Sequence, residues 1–291
     1  MDCGQVTKNY GRKKLYEMRP MTLEDVHKVL YDILVDIHEF CVENDIKYSL
    51  SGGSLLGAVR HNGIIPWDDD IDIQMSRPEY ERFIHSYKSK RGYLLFSREL
   101  RGCEDVEIAF ARVCEMERTY VDPGVGPWIK ESTGLWIDVF PIDGAPDKEK
   151  EAYRKIKWMY LFWRILLVSR GRLPIMYSQA KGLKMKLRLF IKKCLAWCIP
   201  TDFVQKYIDM CQEYSFERCS YLANYTTMQY KFREWQPKSS MERFVLHKFE
   251  DGEFYIMEDY NTSLSHLYGN YMELPPVEKR VAHEINSFYW K

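Results

Sequence analysis

The sequence predicts an α+β protein with a helical insertion, from three observations. Amphipathic helix patterns and strand-length apolar runs alternate through the first half, up to about residue 145. From Pro146 to about residue 219 the pattern turns helical, and the C-terminal part mixes short strands with one helix. At 291 residues with 46% hydrophobic content, the chain can bury a full core as one large unit or two modest ones. No internal repeat or low-complexity tract is visible.

In order along the chain, "MTLEDVHKVLYDILVDIHEFCVENDI" opens with Thr22 followed three residues later by Asp25, a capping pattern. Leu23, Val26, Leu30, Ile33, Leu34, Ile37 and Cys41 then recur at helical spacing, so a helix is expected. "KYSL" reads as a short strand, "SGGS" (51–54) as a turn and "LLGAVRH" as a short helix. A strand at about 70–75 has a period of two, with Ile71, Ile73 and Met75 on one face and Asp68, Asp70, Asp72 and Gln74 on the other. "RPEYERFIHSYKS" predicts a helix, and "GYLLF", "VEIAFARV" and "GLWIDVF" predict strands. The helical stretch breaks around Gly171 to Pro174 and at Pro200. Near the end come a helix at about 258–268 and a short one carrying Arg280 and His283 at i, i+3.

Net charge is zero but unevenly placed: residues 151–200 hold twelve Lys and Arg against the single acid Glu151. The apolar runs "WMYLFWRILLV" and "LRLFIKKCLAWCI" in this region are too short and too charged to span a bilayer, which takes about 20 apolar residues. Two readings stay open: basic helices lying in an anionic membrane interface, or packed helices with solvated basic faces. The eight cysteines include no CxxC pair and the first twenty residues contain no apolar signal-like run. Reduced thiols, a cytoplasmic protein and no zinc site are the expectation. A neutral chain without a basic groove motif argues against a nucleic-acid partner.

The stretch "PWDDDIDIQM" concentrates Asp68, Asp69, Asp70 and Asp72 beside an apolar strand. Neighbouring carboxylates repel, and burying each is costly without a positive partner; a divalent cation, Mg²⁺ or Mn²⁺, is the simplest one. The alternative is a solvated acidic turn after Pro66. Asp68, Asp70, Asp72 and Glu79 imitate calcium-loop spacing, but the glycine required at the sixth position is Ile73, which excludes that reading. A strand running into Gly52, Gly53 and Ser54 leaves N–H groups open at a helix start, where phosphate oxygens bind. A third acid, Asp138 in "LWIDVF", shares a face with Trp136 and Phe140, away from the apolar positions 135, 137 and 139. It needs a partner, and the Asp70/Asp72 metal is the expected one. Arg60 and His61, about two turns after the Gly-Ser turn, suit phosphate; equally, Arg60 suits its own helix end or an aspartate. Arg112 in "FARV" is a weaker phosphate candidate.

Gly-Ser turn, D-x-D strand and lone acid together describe a nucleotidyltransferase site of the polymerase-β-like kind, a mixed sheet with flanking helices. More narrowly, "YSLSGGSLLGAVRHNGIIPWDDDIDIQM" resembles the signature of the LicD/fukutin family, and "GLWIDVFPIDGAP" its second block. "RVCEMERT" and "LYGNYMELPPVEKRVAH" are similar to further family segments, so the resemblance runs from about residue 22 to 283. "FYIMEDYNTSL" departs from it by lacking a proline near Met257.

The resemblance implies a metal-dependent phosphotransferase that moves a phosphocholine-type group from a CDP-alcohol, CDP-choline foremost, releasing CMP. The implied acceptor is a sugar hydroxyl of a cell-surface glycan (lipopolysaccharide, teichoic acid or capsule) or its lipid-linked precursor, at the inner face of the plasma membrane. In that reading Asp70, Asp72 and Asp138 bind Mg²⁺, with Asp68 and Asp69 beside them. Gly52, Gly53, Ser54, Arg60 and His61 hold the diphosphate, and Arg112, Arg280 and His283 are further candidates. The organisation expected is an arm (1–21), a nucleotidyltransferase-like catalytic core (22–150), a basic helical region (151–220) and a C-terminal α+β part completing the catalytic unit (221–291). Nucleotidyl transfer, with pyrophosphate leaving, and a non-catalytic binding module are the alternatives.

Overall fold

The computed structural model describes residues 18–104, 106–121, 133–166, 182–197, 203–282 and 287–291. After a short strand β1 (Arg19–Pro20), helix α1 (Leu23–Glu43) starts on the predicted capping box: the Thr22 hydroxyl accepts from the Asp25 N–H, and the Asp25 carboxylate accepts from the Thr22 N–H. Its apolar face, including Val26, Leu30, Ile33, Leu34 and Ile37, is wholly buried. Each such side chain contributes about 1.5–3 kcal/mol on leaving water.

Strand β2 (Ser49–Leu50) leads into helix α2 (Gly52–His61), then β3 (Asp72–Ser76), α3 (Arg77–Ser86), β4 (Leu94–Phe96), β5 (Ala111–Glu115), β6 (Thr119–Val121) and the long β7 (Leu135–Ala145). The principal sheet runs β2-β3-β7-β5-β4, with β3 and β7 parallel and the other pairs antiparallel. Ile73 and Met75 of β3, with Ile71 just before it, and Leu135, Ile137 and Val139 of β7 turn inward to the face that α1 covers, as the period-two reading expects. The "VEIAFARV" strand is shorter than expected and starts only at Ala111; residues 106–110 are irregular. The aspartate strand likewise begins at Asp72, so Asp68, Asp69 and Asp70 stand in the loop before it.

Helices α4 (Glu149–Leu166), α5 (Leu183–Trp197) and α6 (Phe203–Cys211) form the basic region. Ala145, Ile156 and Met159 pack with Val204, Tyr207, Ile208 and Cys211 in a second cluster, so α4 and α6 are packed helices. Helix α5 differs: Leu183, Met185, Leu187, Phe190 and Ile191 are all exposed. The expected break at 171–174 and the one at Pro200 lie outside the described residues.

The chain then makes β8 (Tyr221–Ala223), β9 (Gln236–Pro237), the hairpin β10 (Phe244–Phe249) and β11 (Gly252–Met257), helix α7 (Tyr260–Tyr268) and β12 (Phe288–Trp290). β8 continues the principal sheet beyond β7, and the Met257 N–H donates to the Ser49 hydroxyl, fastening the hairpin beside β2. Leu222, Phe254, Ile256, Leu264 and Phe288 share one core with α1, β3 and β7. Residues 18–21 are part of this structure rather than of an arm: Met18 and Met21 are buried and β1 pairs with β12. Cys41, Cys114, Cys211 and Cys219 are free thiols as expected, but Cys103 is disulfide-bonded, which corrects the all-reduced reading.

Candidate functional site

Helix α2 begins where β2 ends, and its first residues, Gly52 and Gly53, line a cavity of about 620 Å³ together with Asp68, Asp70 and Asp72. The donors of a helix's first turn have no helical carbonyl to bond, so this end presents N–H groups to the cavity. Gly52 sits at φ +52°, and a Cβ on Gly53 would lie 2.9 Å from Asp68 Oδ2. Glycines are therefore required for the turn to approach the carboxylates. Ser54 is buried rather than cavity-lining: its hydroxyl accepts from the Asp72 N–H at 2.8 Å and fixes the start of β3. Ser51 lines the cavity instead, its hydroxyl donating to Gln74 Oε1 at 3.1 Å.

Asp70 is open to the cavity and Asp72 half-buried, yet protein encloses both on most sides. Burial raises the Asp70 carboxyl well above the usual range, reinforced by the charges of Asp68, Asp138 and Asp69. Asp72 is raised too, first by burial and then by Asp70, Asp138 and Asp68. Asp69 is buried, and the Asp68 backbone carbonyl accepts from His27 Nε2 at 2.6 Å.

Asp138 is the register partner of Asp72 across β3 and β7. Its expected partner was a metal; the structure supplies Arg112, its neighbour in register on β5, whose Nε and Nη2 donate to the two carboxylate oxygens at 2.5 and 3.3 Å. The guanidinium also lies 4.1 Å over the Trp136 ring. Burial raises the Asp138 carboxyl, with Arg112 opposing it. Arg112 thus serves an aspartate, a pairing across 26 positions of sequence that only the sheet register reveals.

Arg60 lines the cavity, but it neither caps its own helix nor pairs with an aspartate: Nη1 donates to the Tyr271 and Glu273 carbonyls at 2.9 and 3.3 Å. Burial and the nearby charge of Arg280 lower its pKa. His61 packs edge-on to Trp67 at 5.8 Å. Among the described residues the expected helix does not form at Arg280, because Pro275 and Pro276 lead into a single turn of 3₁₀ helix (Val277–Lys279) and Arg280 leaves it at φ −89°, ψ 73°. Arg280 donates to the Pro275 carbonyl and lies 5.3 Å over Trp67. With the cavity-lining Lys279 it makes this rim basic. His283 lies outside the described residues.

Three further lining residues carry no sequence signal. Tyr230 precedes and Glu234 ends a 3₁₀ turn (Lys231–Glu234), and Tyr268 ends α7.

Among the described residues no group of three or more His, Cys, Asp or Glu side chains forms a ready-made metal cage. The donor set still fits a hard cation: Asp70 and Asp72 offer only carboxylate oxygen, both disfavoured as anions by burial first and then by neighbouring carboxylates. Mg²⁺ characteristically binds one or two carboxylates plus substrate phosphates rather than an all-protein cage.

Residues 45–160 match the family model described as LicD/FKTN/FKRP, nucleotidyltransferase domain. Over 287 residues, 94% of this chain and 99% of the relative, the sequence is 29% identical to the lipopolysaccharide cholinephosphotransferase LicD of Haemophilus influenzae. A 97-residue stretch, 32% of this chain and 20% of the relative, is 64% identical to the ribitol 5-phosphate transferase FKRP of Homo sapiens, with the same figures for that of Mus musculus.

Proposed function

We propose that the chain, which is similar over residues 45–160 to the LicD/FKTN/FKRP nucleotidyltransferase domain, transfers a phosphocholine-type group from a CDP-alcohol, CDP-choline foremost, to a sugar hydroxyl of a cell-surface glycan or its lipid-linked precursor, releasing CMP. The observation that carries the reading is the meeting of a Gly-Gly helix start with three aspartates in one cavity, in a chain similar to a cholinephosphotransferase along nearly its whole length. The fold proposed for residues 22–150 with 221–291 is the polymerase-β-like nucleotidyltransferase one.

Asp70 and Asp72 would hold Mg²⁺ or Mn²⁺, which when bound supplies neutralisation of the donor's diphosphate and of the departing CMP. The Gly52 and Gly53 N–H groups orient a phosphate oxygen beside them. Arg60, Lys279 and Arg280 make the rim attractive to an anionic substrate. The acceptor hydroxyl attacks the distal phosphorus in line, and Asp72 or Asp138 takes its proton. Ser54 and Arg112 position these carboxylates through the bonds described above. The surface partner proposed is the anionic inner face of the plasma membrane, contacted through α5.

CMP release from CDP-choline, CDP-ethanolamine and CDP-ribitol, with Mg²⁺ and a glycan or lipid extract, tests the reading against Asp70→Asn. CMP lost in the variant supports it. Pyrophosphate from CTP, with no CMP from any donor, would replace it by nucleotidyl transfer.

A further inference from the structure

One wall of the cavity has a chemistry that phosphate binding does not explain. The Tyr230 hydroxyl donates to the Tyr268 hydroxyl at 3.1 Å, and the two rings stand edge to face with centroids 5.4 Å apart. Arg233 donates to the Leu267 carbonyl at 2.9 Å, locking the turn that carries Tyr230 onto the end of α7. Trp235, next after Glu234, stacks on Tyr221 at 4.0 Å. Within the wall lies Glu234, only 8% exposed and lining the cavity.

Among the described residues Glu234 forms no ion pair. Burial raises its carboxyl to about 8, and the one opposing influence is the Tyr230 N–H. A buried acid lining a ligand cavity beside two tyrosines is costly in the empty protein and well matched to a cation, which gains from a carboxylate and from aromatic rings together. The position fits a donor: the Tyr268 hydroxyl lies 3.6 Å from where a Cβ on Gly52 would stand, and Asp72 acts electrostatically on Tyr230 and Tyr268. That places the wall beside the Gly-Gly helix start.

We propose that Tyr230, Glu234 and Tyr268 form the subsite for the donor's alcohol and select a cationic alcohol, carrying a quaternary or primary ammonium, over a neutral polyol. The assignment rests on the phosphotransfer reading and adds to it the residues that choose the donor.

The test is CMP release by the full chain with CDP-choline and with CDP-ribitol, for wild type, Glu234→Gln and Tyr230→Leu. In both variants KM for CDP-choline rises about tenfold or more, kcat falls less, and any turnover of CDP-ribitol keeps its KM. Free choline competes with the donor in wild type and loses that effect in the variants. Equal losses for charged and neutral donors, or a shift confined to the acceptor's KM, overturn the proposal while leaving phosphotransfer intact. Should wild type release no CMP from either donor, phosphotransfer fails instead, and choline binding followed by NMR judges the subsite: binding weakened by Glu234→Gln upholds it, and no binding overturns it.

Discussion

Asp72 and Asp138 stand side by side in register across the parallel pair of strands, and Arg112 clasps Asp138 with two nitrogens. Asp72 faces the cavity with Asp70 and Asp68, its carboxyl raised by burial and by theirs. Carboxyls raised in the fold cost stability once the pH exceeds their ordinary range, because the unfolded chain ionises them freely. Asp72→Asn should therefore lower CMP release by about a hundredfold or more yet raise stability by about 1 kcal/mol, a figure reduced for solvent reached through the cavity. Asp70→Asn should lose activity likewise. Mg²⁺ should raise the melting temperature of wild type and not of Asp70→Asn. A less stable, active Asp72→Asn contradicts the assignment.

Removing Arg112 has the opposite signature. Arg112→Met leaves Asp138 largely buried without its counter-ion, which costs about 3–5 kcal/mol. The double variant Arg112→Met with Asp138→Asn removes both charges and should recover at least half of that loss in urea melts. A double variant as unstable as the single one would mean that Arg112 acts through its packing on Trp136 instead.

How much of this was legible follows from the range of each interaction. The capping box of α1, the inward faces of β3 and β7 and the glycines before the aspartates are local patterns, and each is realised. Arg112 with Asp138 depends on register between strands, and local periodicity carries no register information. Tyr230 and Glu234 were invisible for a different reason: the turn holding them uses positive φ at Met228 and Lys231, residues that advertise no turn. At Arg280 the expected helix gives way to one 3₁₀ turn (Val277–Lys279) set up by Pro275 and Pro276, a break that i, i+3 spacing cannot register.

Glu99 offers a pH-dependent test outside the cavity. It lies 3.1 Å from Arg77, which also pairs with the buried Asp143, and its Oε2 is buried without a partner. Burial raises its carboxyl to about 7. The unfolded chain releases this proton first, so its stabilising contribution is complete below about pH 4.5 and is lost as the pH rises through about 7. Glu99→Gln should remove roughly 2 kcal/mol of that decline, read as the difference between wild-type and variant urea midpoints at about pH 5 and about pH 8. Parallel midpoints at both pH values refute it.

Helix α5 exposes Leu183, Met185, Leu187, Phe190 and Ile191 with Lys184 and Lys186 among them, and among the described residues no helix is long and apolar enough to cross a membrane. A helix lying in an interface has this composition: apolar side chains enter the acyl boundary while each basic one contributes about 1 kcal/mol beside anionic lipid. The full chain should sediment with anionic liposomes at low salt and come off as salt screens the attraction. Phe190→Asp should weaken binding about tenfold without moving the melting temperature, because Phe190 is exposed in the protein alone. Equal sedimentation with neutral liposomes would make the basic residues irrelevant. No sedimentation at low salt would return α5 to a solvated helix and leave the catalytic assignment untouched, since the cavity and its aspartates lie on other elements.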